Sequence, residues 1–401
     1  MNVHEPRKRL EACLKSIRSS KRIPEGEKKL ILKFHDECCS QGLSNVRVLF
    51  YMEKLKMLAA KWSHKRLSRM DKDDIKELLG KIERSDYSEW TKAGYRITLK
   101  KFFQWLHGFE WNSQEYPDEV KWIRTSTKNN AKELPEILTK EDIKKLIRAA
   151  TNVRDKALIS VLYESGCRIG ELLNLKLKDV VFDDYGAVIK VHGGKGSRRI
   201  RLVCSVPHLS NWIQNHPYRE DRNSYLWTSI ARRRRASRIS YQYVRLKLKK
   251  FAEGAGVKVP VNPHNFRHSR ATHLANKLTE AQMCEYFGWV QGSDMPSTYV
   301  HLSGRDVDSA ILRIYGKLSR DEEKKEEELK TKECPRCHYE NPPESDFCGR
   351  CRLPLDEKVA MELEKRKAEF ISIMTPEIIE RMIEEKVRQI LESRALLARK
   401  G

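Results

Sequence analysis

The spacing of apolar residues changes along the chain, and this change most constrains the fold. From about residue 27 to residue 112, apolar side chains recur every three or four positions, as in NVRVLFYMEKLKMLAAKW, which is the repeat of an amphipathic helix. From residue 136 to residue 318, helical segments are mixed with short strand-like runs. We therefore predict a multidomain chain. An all-α N-terminal domain precedes a mixed α+β domain that is mainly helical, with a small antiparallel sheet.

Local signals place several elements within this plan. Asp71 precedes an apolar repeat and is a suitable N-cap, and Thr139 with Asp142 forms an approximate capping box at the start of LTKEDIKKLIRAA. The segment GAVIKVHGGKGSRRIRLV has two apolar runs on either side of a glycine-rich turn, as a β-hairpin requires. Four tryptophans are expected to pack inside the N-terminal domain: Trp62, Trp90, Trp105 and Trp111.

Changes in composition give the expected boundaries. The sequence divides into an N-terminal segment (1–26), a helical DNA-binding domain (27–112), a polar linker (113–135), the mixed domain (136–318), a charged spacer (319–331), a cysteine module (332–356) and an amphipathic helical tail (357–401). The tail is expected to pair with another protomer or to pack on its own chain.

The charge balance indicates a polyanionic partner. The 79 Lys and Arg residues exceed the 56 Asp and Glu residues, which gives a formal net charge of +23. Such an excess favours binding to nucleic acid, and the binding should weaken with salt. The chain has no apolar run long enough to span a membrane and no apolar export signal, so we expect a cytoplasmic, nucleoid-associated protein with no membrane partner.

Four cysteines form two C-x-x-C pairs near the C-terminus. Cys334 and Cys337 are followed, after ten residues, by Cys348 and Cys351. Four thiolates at this spacing predict a tetrahedral structural zinc site in a zinc ribbon, with iron or a redox role as alternatives. The partner of this ribbon stays open between DNA, another protein and a neighbouring subunit. The other six cysteines are scattered and are expected to stay reduced: Cys13, Cys38, Cys39, Cys167, Cys204 and Cys284.

Several short segments carry side chains suited to phosphate chemistry. Arg168 lies at a helix start in YESGCRIGELLNLKLKDV, where Glu171 could orient its guanidinium. Lys195 lies in the glycine-rich turn, and His264 and Arg267 share a helical face in PHNFRHSRATHL. A phenol, Tyr299, follows a loop rich in Gly, Ser, Asp and Pro, so we expect it to be presented to solvent. Each feature alone is commonplace.

In this order and combination, the segments resemble the tyrosine recombinase (phage integrase) family, in particular its archaeal Xer-like and integrase members. GCRIGELLNLKLKDV looks like the first arginine box of the family, PHNFRHSRATHL like the second, and MPSTYVHLS like the nucleophile segment. The resemblance implies a core-binding domain and a catalytic domain that together clamp duplex DNA, and self-assembly to a tetramer on two DNA sites. The zinc ribbon is an addition that the catalytic domain of the family does not need.

The resemblance also assigns roles. Tyr299 would be the nucleophile that forms a 3′-phosphotyrosyl link, while Arg168 and Arg267 would neutralise the phosphate. Lys195 would protonate the leaving oxygen, and His264 could help deprotonate the phenol. Trp289 stands where most members have a histidine, so its expected roles are packing and phosphate binding, because an indole has only one donor.

These roles predict a metal-independent site-specific recombinase. It would integrate or excise a mobile element or resolve DNA multimers, and it would need no cofactor for catalysis. Two alternatives remain: a catalytically inactive zinc-ribbon DNA-binding regulator on an integrase scaffold, and an enzyme that relaxes supercoils like a type IB topoisomerase. His268 and His273 are interpreted as structural or peripheral.

Overall fold

A computed structural model describes most of the chain, which divides into two compact units, residues 1–134 and 135–401. The described residues are 6–63, 65–126, 136–193, 196–231, 237–275, 277–300, 311–312, 315–317, 329–373 and 376–398. Part of the predicted linker (127–135), Lys195 and most of the charged spacer (319–328) lie outside them. None of the helices in these ranges combines the length and the apolar character needed to cross a membrane.

All regular secondary structure in the described residues of the first unit is helical, which confirms the predicted class. Its helices are α1 (Pro6–Arg18), α2 (Glu25–Ser40), α3 (Asn45–Met57), α4 (Lys72–Glu83), α5 (Glu89–Leu106) and the short α6 (Asp118–Lys121). The side chain of Asp71 caps α4 by accepting from the backbone N–H groups of Asp73 and Asp74, as predicted.

One apolar core holds this unit together. Helix α1 lies before residue 27 and contributes Leu10, Leu14 and Ile17 to that core, so the helical unit also includes the segment predicted to precede it. Three of the four tryptophans expected inside pack against the core, namely Trp62, Trp105 and Trp111. The prediction for Trp90 is wrong, because it is 70% exposed near the start of α5.

The second unit combines helices with a small sheet. Among the described residues before the cysteine module, its helices with defined bounds are α7 (Lys140–Ala149), α8 (Val153–Ser165), α9 (Ile169–Leu173), α10 (Val206–Gln214), α11 (Tyr241–Ala255), α12 (Pro263–Leu274), α13 (Glu280–Phe287) and α14 (Met295–Val300). The strands β1 (Val180–Asp183), β2 (Gly186–Gly193) and β3 (Gly196–Leu202) form an antiparallel sheet in the order β1-β2-β3. The predicted hairpin is confirmed, since Gly193 of β2 pairs with Gly196 of β3.

Helix α8 is the centre of this unit, and α7, α10 and α12 pack against it. Almost its whole length is buried, because apolar residues occur all around the helix rather than along one stripe. The helix ends at Gly166, whose φ of 54° is the left-handed conformation typical of a C-terminal cap. The chain therefore turns sharply and delivers Cys167 and Arg168 directly after the most buried helix of the unit.

The C-terminal region begins with the cysteine module, residues 332–356. It contains two short paired strands, β4 (Lys332–Glu333) and β5 (Glu340–Asn341). Helices α15 (Glu357–Ile373) and α16 (Pro376–Ala398) then form the tail. Large apolar side chains of the tail are exposed: Met361, Leu363, Phe370, Ile371, Met382, Ile383, Val387, Ile390 and Leu391.

Candidate active site and cysteine cluster

Arg168 and Glu171 form the first side of the candidate site. The backbone N–H of Arg168 donates to Oε2 of Glu171 at 3.0 Å, and its Nη1 donates to Oε1 at 3.1 Å. The Arg168 side chain is 53% exposed, whereas Glu171 is almost fully buried. Glu171 therefore fixes both the backbone N–H of Arg168 at the N-terminus of α9 and one N–H of its guanidinium. Other N–H groups of the exposed Arg168 side chain face solvent and are available to a phosphate.

A second arginine, which the sequence did not single out, joins Glu171 from β3. Arg198 donates from Nη2 to Oε2 of Glu171 at 2.7 Å and from Nη1 to Oε1 at 3.1 Å. Burial by itself would raise the pKa of Glu171, but Arg198 and then Arg168 outweigh it, so the pKa is lowered. Glu171 is therefore ionised at neutral pH and compensates two guanidinium charges.

Arg267 occupies the centre of the site. It lies on α12 and is 5% exposed, and it donates to the carbonyls of Gly166 at 2.8 Å and Phe287 at 2.7 Å. Burial, and then the like charge of Arg168, lower the pKa of Arg267 to about 10. The nearby Arg198 donates to the carbonyl of Tyr286, which precedes Phe287, so the two guanidinium groups converge at the end of α13.

A stack of aromatic rings leads from Arg267 to the predicted nucleophile. The Trp289 ring stacks on Phe287 at 4.8 Å and on Tyr299 at 5.4 Å, with an angle of 6° between the planes of Trp289 and Tyr299. Cζ of Arg267 lies 5.5 Å from the centre of the Trp289 ring. Trp289 therefore packs between the arginine and the phenol.

Tyr299 is buried, and the expectation that it would be presented to solvent is wrong. Only 3% of the residue is exposed, because α14 packs on α12 and α13 and covers the ring with Trp289. Burial raises the pKa of the phenol, and the charge of Arg267 offsets part of that rise. A phenol in this setting needs a proton acceptor at close range to become a nucleophile.

The histidine that contacts the phenol is His268. Its Nδ1 lies 2.6 Å from the hydroxyl oxygen of Tyr299. His264, the histidine that the sequence favours for deprotonation, lies one helical turn earlier, with its ring centre 4.1 Å from that of His268. The sequence analysis interprets both His268 and His273 as structural or peripheral. Nδ1 of His273 lies 2.8 Å from the hydroxyl oxygen of Tyr163.

The structure thus brings together most of the residues singled out from the sequence. Arg168, Glu171, Arg267, Trp289 and Tyr299 surround one region of the second unit, and His264 and His268 border it. Lys195 lies outside the described residues, although the strands on both sides of its turn are present. The arrangement combines positive charge for a phosphodiester with one buried phenol.

The cysteine module gathers its four thiols at one point. The Sγ atoms of Cys334, Cys337, Cys348 and Cys351 all lie within 4.8 Å of one another. Tetrahedral zinc with Zn–S bonds of about 2.3 Å requires sulfur atoms about 3.8 Å apart, so this set of ligands fits such an ion. Within the described residues, these four are the one group of three or more side chains that could hold a metal.

The two cysteine pairs have the same backbone geometry. His338 and Arg352, each directly after the second cysteine of a pair, adopt positive φ angles of 55° and 63°. Their backbone N–H groups donate to the carbonyls of Cys334 and Cys348, respectively. The N–H groups of Arg350 and Cys351 also point at Sγ of Cys348, at 3.4 Å and 3.5 Å. Such bonds stabilise a thiolate, which is the form that binds a metal.

Comparison with known proteins identifies the family of the second unit. The phage integrase family model matches residues 136–305, and the model of the phage integrase N-terminal SAM-like domain matches residues 38–108. The match to the phage integrase family includes every residue of the candidate active site. The cysteine module and the tail lie outside both matches.

Two curated relatives support the same assignment. The chain is 30% identical over 212 residues to the tyrosine recombinase XerA of Pyrococcus horikoshii, covering 53% of this chain and 69% of that protein. It is 40% identical over 144 residues to XerA of Thermococcus kodakarensis, covering 35% of this chain and 49% of that protein.

Solved structures share the fold at low identity. The XerH site-specific recombinase in a post-cleavage complex with a palindromic difH substrate is 18% identical, with a TM-score of 0.55 over 76% of this chain and 94% of that chain. A lambda integrase dimer bound to a COC′ core site is 16% identical, with a TM-score of 0.52 over 68% of this chain and 76% of that chain. The chain belongs to the phage integrase family and is an enzyme of the tyrosine recombinase class.

Proposed function

We propose that this chain cleaves and rejoins duplex DNA through a 3′-phosphotyrosyl intermediate at Tyr299. One observation carries the proposal: the phenol of Tyr299 stacks on Trp289, whose other neighbours include the buried guanidinium of Arg267. A phosphodiester bound by Arg267 and by the exposed guanidinium of Arg168 would lie close to this phenol.

The reaction conserves the bond energy of the DNA backbone. The phenolic oxygen gives its proton to a neighbouring histidine and attacks phosphorus, the bond from phosphorus to the 5′ oxygen breaks, and the 5′ oxygen leaves as a hydroxyl after it gains a proton. A 5′ hydroxyl from another strand then attacks the phosphotyrosine and restores both the phenol and the backbone. We assign the leaving-group proton to Lys195 and require no cofactor for either step.

The arginines act through charge. Negative charge grows on the nonbridging oxygens as phosphorus becomes pentavalent, and fixed cations at that point lower the barrier. Arg267 is held by the carbonyls of Gly166 and Phe287 before DNA arrives, so its position costs nothing at the moment of reaction. Glu171 orients Arg168, and Trp289 packs on the phenol and can donate its indole N–H to a phosphate oxygen.

DNA binding by both units and assembly on two sites complete the proposed function. We assign DNA binding to residues 27–112 and catalysis to residues 136–318. A lambda integrase tetramer bound to a Holliday junction shares the fold with a TM-score of 0.50. For this chain we propose a tetramer on two duplex sites, with integration, excision or resolution of DNA multimers as the outcome.

We also propose that the cysteine module is a zinc ribbon. Its thiols fit a tetrahedral site, and the N–H groups directed at Cys348 favour a thiolate. The role is structural, because the cysteines and the candidate active site are separate clusters and four protein ligands leave no open position on the ion.

An assay on supercoiled plasmids separates recombination from topoisomerase activity and from simple DNA binding. Sites are first selected from a pool of duplexes with randomised inverted repeats, and are then cloned singly or as a pair. We expect wild type to exchange strands only on the paired plasmid and Tyr299→Phe to bind without exchange. Relaxation of both plasmids without recombinants would favour a topoisomerase, and binding without any strand breakage would favour a regulator.

A further inference from the structure

The cysteine module is docked on the catalytic part of its own chain. Nη2 of Arg148, near the end of α7, donates to the carbonyl of Glu344 at 2.9 Å and to Oδ1 of Asp346 at 3.0 Å. Nε2 of His208, on α10, lies 2.5 Å from Oε1 of Glu344. Two helices that flank α8 are therefore tied to one loop of the module, the loop between its two cysteine pairs.

This contact is buried, which sets it apart from the ion pairs on the surface. His208 and Glu344 are each 8% exposed. Burial by itself would raise the pKa of Glu344, but His208 outweighs it and the pKa is lowered, so the carboxylate is ionised where it meets the ring. A buried charge that loses its partner is strongly destabilising, so the loop and α10 depend on each other.

The same loop borders a small, mostly apolar gap between the module and helices α7 and α8. Pro343 lines a small gap together with Ile143 and Ile147 of α7 and Tyr163 of α8. Pro343 directly precedes Glu344, so the same loop supplies both the apolar and the charged contact. The module therefore contacts α7 and α10 directly and faces α8 across this gap.

The module has almost no apolar core of its own to fix the shape of this loop. The buried residues of the module are Cys334, Asn341, Pro343, Glu344 and Cys348, and none has a large apolar side chain. A segment of about 25 residues without an apolar core folds only when a metal or another cross-link supplies the missing energy. The position of Glu344 thus depends on the ion that joins the cysteine pair before it to the pair after it.

We infer that the metal-loaded cysteine module is an intramolecular brace for the catalytic unit. The metal fixes the loop, the loop clamps α7 and α10 through Glu344 and Pro343, and these helices hold α8. Arg168 follows the C-terminus of α8 within three residues. The docked face of the module is therefore occupied by its own chain and is closed to DNA and to other proteins.

Hydrogen exchange on the full-length protein tests the brace without any DNA. Metal content is measured first, and the metal is then released with a mercurial thiol reagent and a chelator. We expect one zinc ion per chain, and about tenfold or faster exchange of the amides of α8 and α10 after release. Unchanged exchange in both helices would overturn the brace. DNA cleavage plays no part in this readout, so the result is independent of the proposed function.

Variants separate docking from metal binding. His208→Ala should keep the metal and show fast exchange in α8 and α10 before any release, with little further change after it. Arg148→Ala should also keep the metal and show faster exchange in α8 and α10, and it replaces His208→Ala in the test if that variant does not fold. Arg336→Ala, at an exposed position of the module, is the matched control and should resemble wild type. An undiminished response to metal release in His208→Ala would contradict the coupling.

A second inference concerns the proton of Tyr299 and rests on the proposed function. The hydroxyl of Tyr299 lies 2.6 Å from Nδ1 of His268, and no other group is recorded at hydrogen-bond distance from this hydroxyl among the described residues. Among the residues that the structure describes, the charged or titratable groups next to this pair are Arg267 and His264, both on the helix of His268. The geometry points to His268 as the proton acceptor: Nδ1 takes the phenolic proton as the oxygen bonds to phosphorus.

A substrate with a sulfur leaving group isolates this step. A duplex with a 5′-bridging phosphorothiolate needs no proton on the leaving atom, so its cleavage rate reports activation of the phenol. We expect His268→Gln to cleave at least about tenfold more slowly at pH 7 and to regain rate at high pH, where the phenol ionises by itself.

His264→Gln is the comparison variant. If the role of His264 is phosphate binding, the cleavage rate of this variant should not recover at high pH, because ionisation of the phenol does not replace a phosphate contact. A pH profile of His268→Gln that matches wild type would overturn the role of His268. Failure of wild type itself to cleave selected DNA that it binds would instead refute the proposed function.

Discussion

Glu171 compensates two like charges that would otherwise repel each other at the active site. Its carboxylate accepts hydrogen bonds from both Arg168 and Arg198, and Arg198 in turn reaches the carbonyl of Tyr286. The carboxylate must be ionised to do this. Its lowered pKa shows that the two arginines overcome the cost of burial.

The lowered pKa of Glu171 makes the free energy of unfolding depend on pH in the acid range. Because the folded pKa lies below the ordinary value of 4.5, the contribution is complete above that value and is lost as the pH falls through the folded pKa. We expect Glu171→Gln to lower the free energy of unfolding at pH 7 by about 1–3 kcal/mol. As the pH falls below about 5, wild type should therefore lose more stability than the variant, which has no carboxylate to protonate at this position. Urea unfolding at each pH measures both proteins. The same pH dependence of the free energy of unfolding in wild type and Glu171→Gln would contradict this account.

Gly166 is required both for its backbone angle and for its lack of a side chain. A Cβ at this position would lie 2.5 Å from Cε1 of Phe287, and φ is 54°. We expect Gly166→Ala to destabilise the catalytic unit by about 2–4 kcal/mol in urea unfolding. Gly256→Ala is the matched control, because Gly256 has a φ of 66° and open space around it. Its cost should be only about 1–2 kcal/mol, and equal costs for the two variants would rule out the contact with Phe287.

Among the elements, α7 connects the start of the catalytic unit with the cysteine module. Thr139 and Asp142 form the predicted capping box at its N-terminus, and Arg148 near its C-terminus holds the module. We expect Thr139→Ala to lower the free energy of unfolding by about 1 kcal/mol, while Thr139→Ser keeps the cap and the stability. Equal thermal denaturation of the two variants would show that the cap contributes nothing.

Strand β3 and helix α12 show how much of the site the sequence could predict. The alternation in GSRRIRL places Arg198 on the same face as the buried Ile200 and Leu202, which indicates an arginine with a buried partner. The alternation therefore could have marked Arg198 as a functional candidate, but it does not indicate that the partner is Glu171. In α12, His264 and His268 are four residues apart and share a face, so spacing alone could not choose between them. The packing of α14 on α12 decides which histidine meets Tyr299, and this is a long-range contact.

For the whole molecule, too, the sequence predicts local features and not the contacts between distant segments. The C-x-x-C pairs predict the clustering of the cysteines, because ligand spacing is a local property. They carry no information on where the module docks, since Glu344 and His208 are ordinary polar residues until the fold buries them together. The prediction that the Tyr299 phenol is exposed was based on the composition of the preceding loop. It is wrong because the burial of this phenol depends on long-range packing, which the local sequence does not specify.

The net charge of the whole molecule predicts strongly salt-dependent DNA binding. With +23 formal charges, the logarithm of affinity should fall linearly with the logarithm of salt concentration. Arg168→Ala should reduce the magnitude of this slope by about 1, the share of a single phosphate contact. Arg219→Ala, which removes an exposed arginine paired with Glu220, is the charge-matched control. Identical slopes for wild type and Arg168→Ala in fluorescence anisotropy would place Arg168 away from the phosphate.

The most direct test of the whole account is covalent capture on a nicked suicide duplex, from which the short strand diffuses away after cleavage and prevents religation. Wild type should give a protein–DNA species that survives denaturation, and mass spectrometry of its peptides should find the nucleotide linked to Tyr299. Tyr299→Phe should bind the same duplex and give no such species. A covalent species that persists in Tyr299→Phe, or one linked to a different residue, would contradict the assignment of the nucleophile.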